Sequence, residues 1–303
     1  MLKNHYDLVE LDINRLLSSP PRSQSTQKPG LMLTRKIQFW SLAALQISGI
    51  WKRMVYANLV LGWFNEFQNY WKYELQLCRL SLPDFFYLYG LYRSKFQFVR
   101  IAANQEQNRE SFLSTWQDPA TTYLIFAYQY KLALHPISVW SIRKYIKKRD
   151  SVCEYGCGLA PITQNLARYY PELNLKLTGT DIPNILLHFA RWKLQNYKNV
   201  EIKTLDPIDT APLKNTYDVI TCLTVLEHLP RPLSIVRHLH RQLQTGGYFI
   251  FDYISSDGDG LDTIGSTNQR LEVLKFIKNN FRAIEGKITM NGSSVKRVVC
   301  RKK

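Results

Sequence analysis

The chain has 303 residues, 45% of them hydrophobic, enough for one large or two modest domains with a substantial core. Its 40 basic and 24 acidic residues leave a net charge of +16, which suits RNA, an anionic membrane or an acidic substrate without choosing among them. The five cysteines are scattered, odd in number and lack metal-ligand spacing, which argues against a disulfide scaffold or a structural zinc site and for a reducing compartment, the cytoplasm.

In chain order, the first seventeen residues (MLKNHYDLVELDINRLL) carry charges within their apolar stretch and read as a short amphipathic helix, not a secretory signal. Ser18 to Gly30 is rich in Ser, Pro and Gln and reads as a linker, so residues 1–30 form an N-terminal segment.

Residues 31–134 read as mostly helical, since long stretches lack Pro and Gly and apolar residues recur at intervals of three and four. The region is rich in Trp, Tyr and Phe. Two readings fit it: a helical core built from bulky residues, or a lid or membrane-facing surface with 37–67 as peripheral contact. No run of about 18 uncharged apolar residues occurs, so no membrane-spanning helix is expected. Helices are expected over 121–134 and 136–148, the second closed by the basic cluster Arg143 to Arg149 at its dipole-favoured end.

Past Asp150 strand and helix signals alternate. Strands are expected near 151–155, 175–180, 200–204, 217–223 and 247–253, with helices near 160–170, 183–197 and 231–244. That alternation specifies a parallel sheet covered by helices on both faces. A helix at 267–280 and strands at 281–290 and 295–301, joined at Asn291-Gly292, complete the pattern with an antiparallel hairpin.

The stretch Ser151 to Thr163, SVCEYGCGLAPIT, reads as strand, glycine turn and helix. Gly156 and Gly158 allow close backbone approach to a ligand, and the helix after them offers free N–H groups. A dinucleotide site places a third glycine three residues after the second, where this chain has Pro161. The acid-x-Gly-x-Gly of Glu154 to Gly158 instead resembles the class I S-adenosylmethionine (SAM) dependent methyltransferases. The segment YDVITCLTVLEHLPRP, Tyr217 to Pro232, is similar to that family's fourth strand and loop, and its Glu-His-Leu element is similar to that of small-molecule, quinone and lipid methyltransferases. The resemblance covers residues 135–303. It implies an α/β fold, a Rossmann-like seven-stranded class I methyltransferase sheet with a terminal antiparallel hairpin, behind an aromatic-rich helical N-terminal region.

The resemblance also implies roles. Glu154 would anchor the amino acid portion of SAM, with Gly156 and Gly158 making room for it. Asp181, 27 residues after Glu154, would accept from both ribose hydroxyls, and Ile182 would pack on the adenine. Leu205 would offer its backbone N–H and Asp206 a carboxylate to the adenine, with Asp209 as a competitor. Leu223 would lie under the methionine part. His228 is the leading candidate for a general base, because imidazole titrates near neutrality, ahead of Tyr253, Asp252 and Glu227. The other helical histidines, His188, His238 and His240, read as surface or packing residues.

The expected activity is SAM-dependent methylation of a small-molecule or lipid-like acceptor, with no metal required. An RNA methyltransferase is the alternative that the charge favours, although no RNA-binding module is visible. A non-catalytic SAM-binding or assembly protein is the third class.

Overall fold

The computed structural model describes residues 62–77, 79–81, 84–85, 87–93, 112–113, 116–117, 121, 124–125, 141–255, 262–290 and 294–303. Its centre is a seven-stranded sheet in the order β3-β2-β1-β4-β5-β7-β6. The strands are β1 (Ser151–Tyr155), β2 (Lys176–Asp181), β3 (Val200–Thr204), β4 (Tyr217–Cys222), β5 (Leu243–Tyr253), β6 (Phe281–Glu285) and β7 (Val295–Lys302). The first five pair in parallel, and β7 inserts antiparallel between β5 and β6. Strand order reverses between β1 and β4, and sheets of this kind bind ligands outside the carboxyl ends of the strands at such a reversal.

The helices are α1 (Gly62–Asn69), α2 (Pro161–Tyr169), α3 (Ile185–Leu194), α4 (Pro232–Gln242) and α5 (Ile264–Asn280). Four of them start on recognisable chemistry. Pro161 opens α2 and Pro232 opens α4, where the missing N–H costs nothing. The side chain of Asn184 accepts from Leu187 N at the start of α3, and that of Thr263 from Ser266 N at the start of α5. α5 begins at Ile264, three residues before the position expected from sequence.

Two strand boundaries also differ, and glycines explain both. β5 starts at Leu243 rather than 247 because it runs through Gly246 and Gly247, with a register shift between Tyr217 and Val219. A side chain at Gly247 would come within 2.7 Å of the Asp218 carbonyl oxygen, so the close approach needs glycine. β6 stops at Glu285 rather than 290 because Gly286 turns the chain at φ +81°. The helix expected over 136–148 is corrected at its end: its helical residues stop at Arg143. Bonds from Tyr145 N to Ile142 O and from Ile146 N to Arg143 O tighten into turns, so Lys144 to Arg149 are loop residues, not a helix terminus.

The N-terminal residues pack directly on the sheet domain. α1 continues into a π-helical turn, Tyr70–Glu74. Phe67, Tyr70 and Trp71 are buried in one cluster with Ile185, Leu186 and Phe189 of α3. Tyr70 and Phe189 have ring centroids 4.5 Å apart, and Phe67 meets Phe85 edge-on at 5.2 Å. Such pairs contribute about 0.5–1.5 kcal/mol each beyond their buried area. The membrane-facing reading of 37–67 is therefore corrected for its described end: Phe64 and Phe67 are core residues, and 37–61 lie outside the described residues. Most of the helix expected over 121–134 lies outside them too. Among the described residues no helix is long and apolar enough to cross a membrane.

Candidate active site

A cavity of about 810 Å³ opens over the carboxyl ends of β1, β2 and β4. Glu154, Gly156, Gly158, Asp181, Ile182, Leu205, Asp206, Leu223 and His228 all border it. The sequence places them across more than seventy positions, and the strand reversal gathers them.

Glu154, next to last in β1, has its carboxylate buried, and that carboxylate is already engaged. Oε1 accepts from Ile162 N at 3.1 Å and Oε2 from Thr163 N at 2.8 Å. Residue 160 is an alanine with no side-chain oxygen, so the strand-end acid caps α2 in its place. Burial nevertheless pushes the Glu154 carboxyl up to about 7, against the pull of those amides.

Asp181 ends β2. Its Oδ2 accepts from Gly158 N at 2.6 Å and its Oδ1 from Ile182 N at 2.7 Å, while burial raises it to about 6. The Asn184 side chain is hydrogen-bonded to it as well, so of the roughly four lone-pair sites of an ionised carboxylate about one is left for a ligand. Gly156 and Gly158 both have positive φ, +67° and +50°. A side chain at Gly156 would meet Val225 Cγ2 at 2.3 Å, whereas above Gly158 the nearest atom would be Leu186 Cδ1 at 3.8 Å. One glycine thus lets the loop after β4 close down on the turn, and the other leaves room for a ligand.

Leu205 requires a correction. Its N–H donates to Asp181 O at 2.7 Å and extends the β2–β3 ladder, so it is not on offer to an adenine. Its side chain still borders the cavity. Asp206 Oδ1 accepts from Ile208 N and Asp209 Oδ1 from Ala211 N, turn contacts that leave both carboxylates at the cavity edge.

Of the four base candidates only His228 borders the cavity. It stands on a short 3₁₀ turn, Leu226–His228, with its ring edge-on to Trp116 at 5.5 Å and Nε2 3.9 Å from Glu227 Oε1. Tyr253 is buried, donates its hydroxyl to Ser266 O, and is pushed well above the usual tyrosine range. Glu227 is buried and raised to about 8 by that burial and by the nearby Asp252 and Asp262. Asp252, raised to about 6 by burial, accepts from Thr224 N at 2.6 Å. That bond is a feature sequence reading missed. It pins Thr224 at φ +54°, a left-handed conformation uncommon for a non-glycine residue, directly beneath the cavity. Trp116 was missed as well, since no spacing in its region singles it out.

The other described histidines have packing roles. The Tyr70 hydroxyl and His188 Nδ1 are hydrogen-bonded at 2.6 Å, and burial lowers His188 to about 4. His238 Nε2 accepts from Leu213 N, and His240 meets Phe276 and Phe281 edge-on. Among the described residues no group of three or more His, Cys, Asp or Glu is arranged to hold a metal ion.

The family model described as "Methyltransferase domain" matches residues 127–290, more than half of the chain. The chain belongs to this family, the class I SAM-dependent methyltransferases. Curated relatives of this methyltransferase include the ubiquinone biosynthesis O-methyltransferase of Pseudomonas syringae pv. tomato, 31% identical over 125 residues, 40% of this chain and 52% of that one. The protein of the same name from Actinobacillus pleuropneumoniae serotype 5b is 28% identical over 152 residues, 48% and 62% of the respective chains. The chain thus spans about half the length of the curated relatives it matches. Similar solved structures include PigF with SAH, at 21% identity, 68% coverage of each chain and a TM-score of 0.46. SAM is the family's cofactor, and the donor set fits it: two strand-end carboxylates, an open glycine and apolar walls at Ile182, Leu205 and Leu223.

Proposed function

We propose that this methyltransferase transfers a methyl group to a hydroxyl oxygen of a small, lipid-like acceptor. The observation that carries the reading is the mixed lining of this cavity. Its lining combines the carboxylates of Glu154, Asp181, Asp206 and Asp209 with the His228 imidazole and with Phe112, Trp116 and Leu124, apolar and aromatic surface suited to a lipid-like body. The naming of curated relatives as O-methyltransferases supports oxygen as the accepting atom.

In this reading Asp181 receives the ribose hydroxyls, Glu154 the amino acid portion and Asp206 the adenine amino group. Ile182 and Leu205 flank the adenine, and Leu223 lies under the methionine part. Bound SAM supplies a sulfonium methyl whose carbon is already electrophilic. The chain's own contribution is to align the acceptor hydroxyl, take its proton on His228 and exclude water. Alignment alone is worth about 7–11 kcal/mol of barrier. The four described cysteines are free and buried, which supports a reducing compartment such as the cytoplasm.

The test is to incubate purified protein with methyl-labelled SAM and a lysate from a strain lacking the protein. Label is expected in the solvent-extractable fraction, and His228→Ala should lower its rate of appearance about 100-fold or more while SAM affinity holds. Nuclease-sensitive label would overturn the proposal in favour of RNA, and protease-sensitive label in favour of a protein acceptor.

A further inference from the structure

Lys193 is the least expected charge in the molecule. It lies within α3 and is only 8% exposed. A buried ammonium is costly unless countered by charge and hydrogen bonds. Its Nζ donates to Gln164 Oε1 at 2.7 Å and sits 5.4 Å from the centre of the Phe189 ring. Gln164 Nε2 in turn donates to Glu66, at 3.2 Å to Oε1 and 3.4 Å to Oε2. Glu66 belongs to α1. Gln164 follows Ile162 and Thr163, the two residues whose amides hold Glu154. Side-chain hydrogen bonds thus join Glu66 of α1, Gln164 of α2 and Lys193 of α3, and Gln164 adjoins in sequence the two residues whose amides hold Glu154.

We propose that Glu66 and Lys193 are positioning residues for the cofactor: Glu66 keeps Lys193 charged and in place, and Lys193 holds Glu154 as the carboxylate that receives the SAM ammonium. This rests on the role assigned to Glu154 above.

The electrostatics run in the required direction. Burial lowers Lys193, and Glu66 and Glu154 oppose that lowering. Burial raises Glu154, and Lys193 opposes that rise together with the Thr163 and Ile162 groups. Two thiols also face these groups. Burial holds Cys153 up at about 12 and Cys157 well above the ordinary thiol range, so both stay neutral and leave Lys193 as the cation acting on Glu154. Asp181 faces Cys157 from β2. Glu66 lies outside the family match at 127–290, so the device is carried by this chain's own N-terminal region. Phe67, the next residue, is fully buried in the aromatic cluster with Phe189, which sets the carboxylate in register with Gln164.

The experiment is SAM binding by calorimetry from pH 5.5 to 8 on the full chain and three variants. Wild-type affinity should rise with pH as Glu154 ionises. Glu154→Gln should weaken binding and abolish that rise. Lys193→Met should move its midpoint up by about one pH unit, so that binding at pH 7 weakens about fivefold. Glu66→Gln, which is isosteric, should move it in the same direction by about half a unit. A merely structural role predicts uniform weakening with the midpoint unmoved, and that result in Glu66→Gln and Lys193→Met would overturn the inference. If Lys193→Met fails to fold, Glu66→Gln alone decides. An unchanged profile in Glu154→Gln would instead remove the role given to Glu154, a separate failure.

Discussion

Glu227 offers a sharp test of how the buried acids are balanced. Its carboxyl is 3% exposed, and Oε2 has no hydrogen-bond partner among the described residues. Burial raises it from 4.5 to about 8. A group that binds its proton more tightly when folded stabilises fully below the unfolded value, and that stability drains away as pH rises through the folded value. From pH 5 to pH 8 the folded chain thus holds most of a proton that the unfolded chain has lost. At about 1.4 kcal/mol per pH unit this amounts to about 3 kcal/mol. The perturbation is Glu227→Gln, whose amide imitates the protonated acid and does not titrate. Histidines with lowered values, His188, His238 and His240, work in the opposite sense, but they are common to both proteins and cancel in the difference. Urea unfolding at pH 5, 6.5 and 8 should show the variant gaining about 3 kcal/mol on the wild type across the range. Parallel stability curves would refute the reasoning, because they would mean that Glu227 titrates alike in both states.

Two further substitutions probe the cofactor end. Gly156→Ala drives a methyl to 2.3 Å from Val225 Cγ2 at a positive φ. It should cost about 1–3 kcal/mol of stability in denaturant unfolding, with partial recovery when Val225→Ala is added. Asp181→Ala should weaken SAM binding at least about tenfold by calorimetry, about 1.4 kcal/mol, and an unchanged affinity would contradict the ribose assignment.

What was legible in the sequence was local. The glycine turn, the acids near the ends of β1 and β2, and the alternation that builds the sheet are each written within about a dozen residues, and steric and periodicity rules read them directly. Contacts between distant segments were not legible. Leu205 N–H looked available because a strand end exposes donors, yet the neighbouring strand claims it. Glu154 looked like a free ligand group, yet the helix eight residues later uses both its oxygens. The aromatic N-terminal region had composition without a partner. Only packing on Phe189 separates a buried face from a membrane-facing one, and no spacing rule supplies that.

These non-local contacts share one electrostatic consequence. Glu154 and Asp181 are both raised by burial, to about 7 and about 6, at the end of the cavity assigned to a cationic cofactor. Buried carboxylates without a full counter-charge are costly, and a cation arriving beside them favours their ionised forms. On the proposed assignment, therefore, SAM binding near pH 6.5 releases protons, and the affinity of this end depends on how far the acids are already ionised. Amides from α2 and from Gly158 push them toward ionisation from one side. From the other side Lys193 does the same for Glu154, with its charge supported from α1. The N-terminal helix then adjusts the cofactor end without touching the cofactor, because field, unlike shape, acts through a buried side chain.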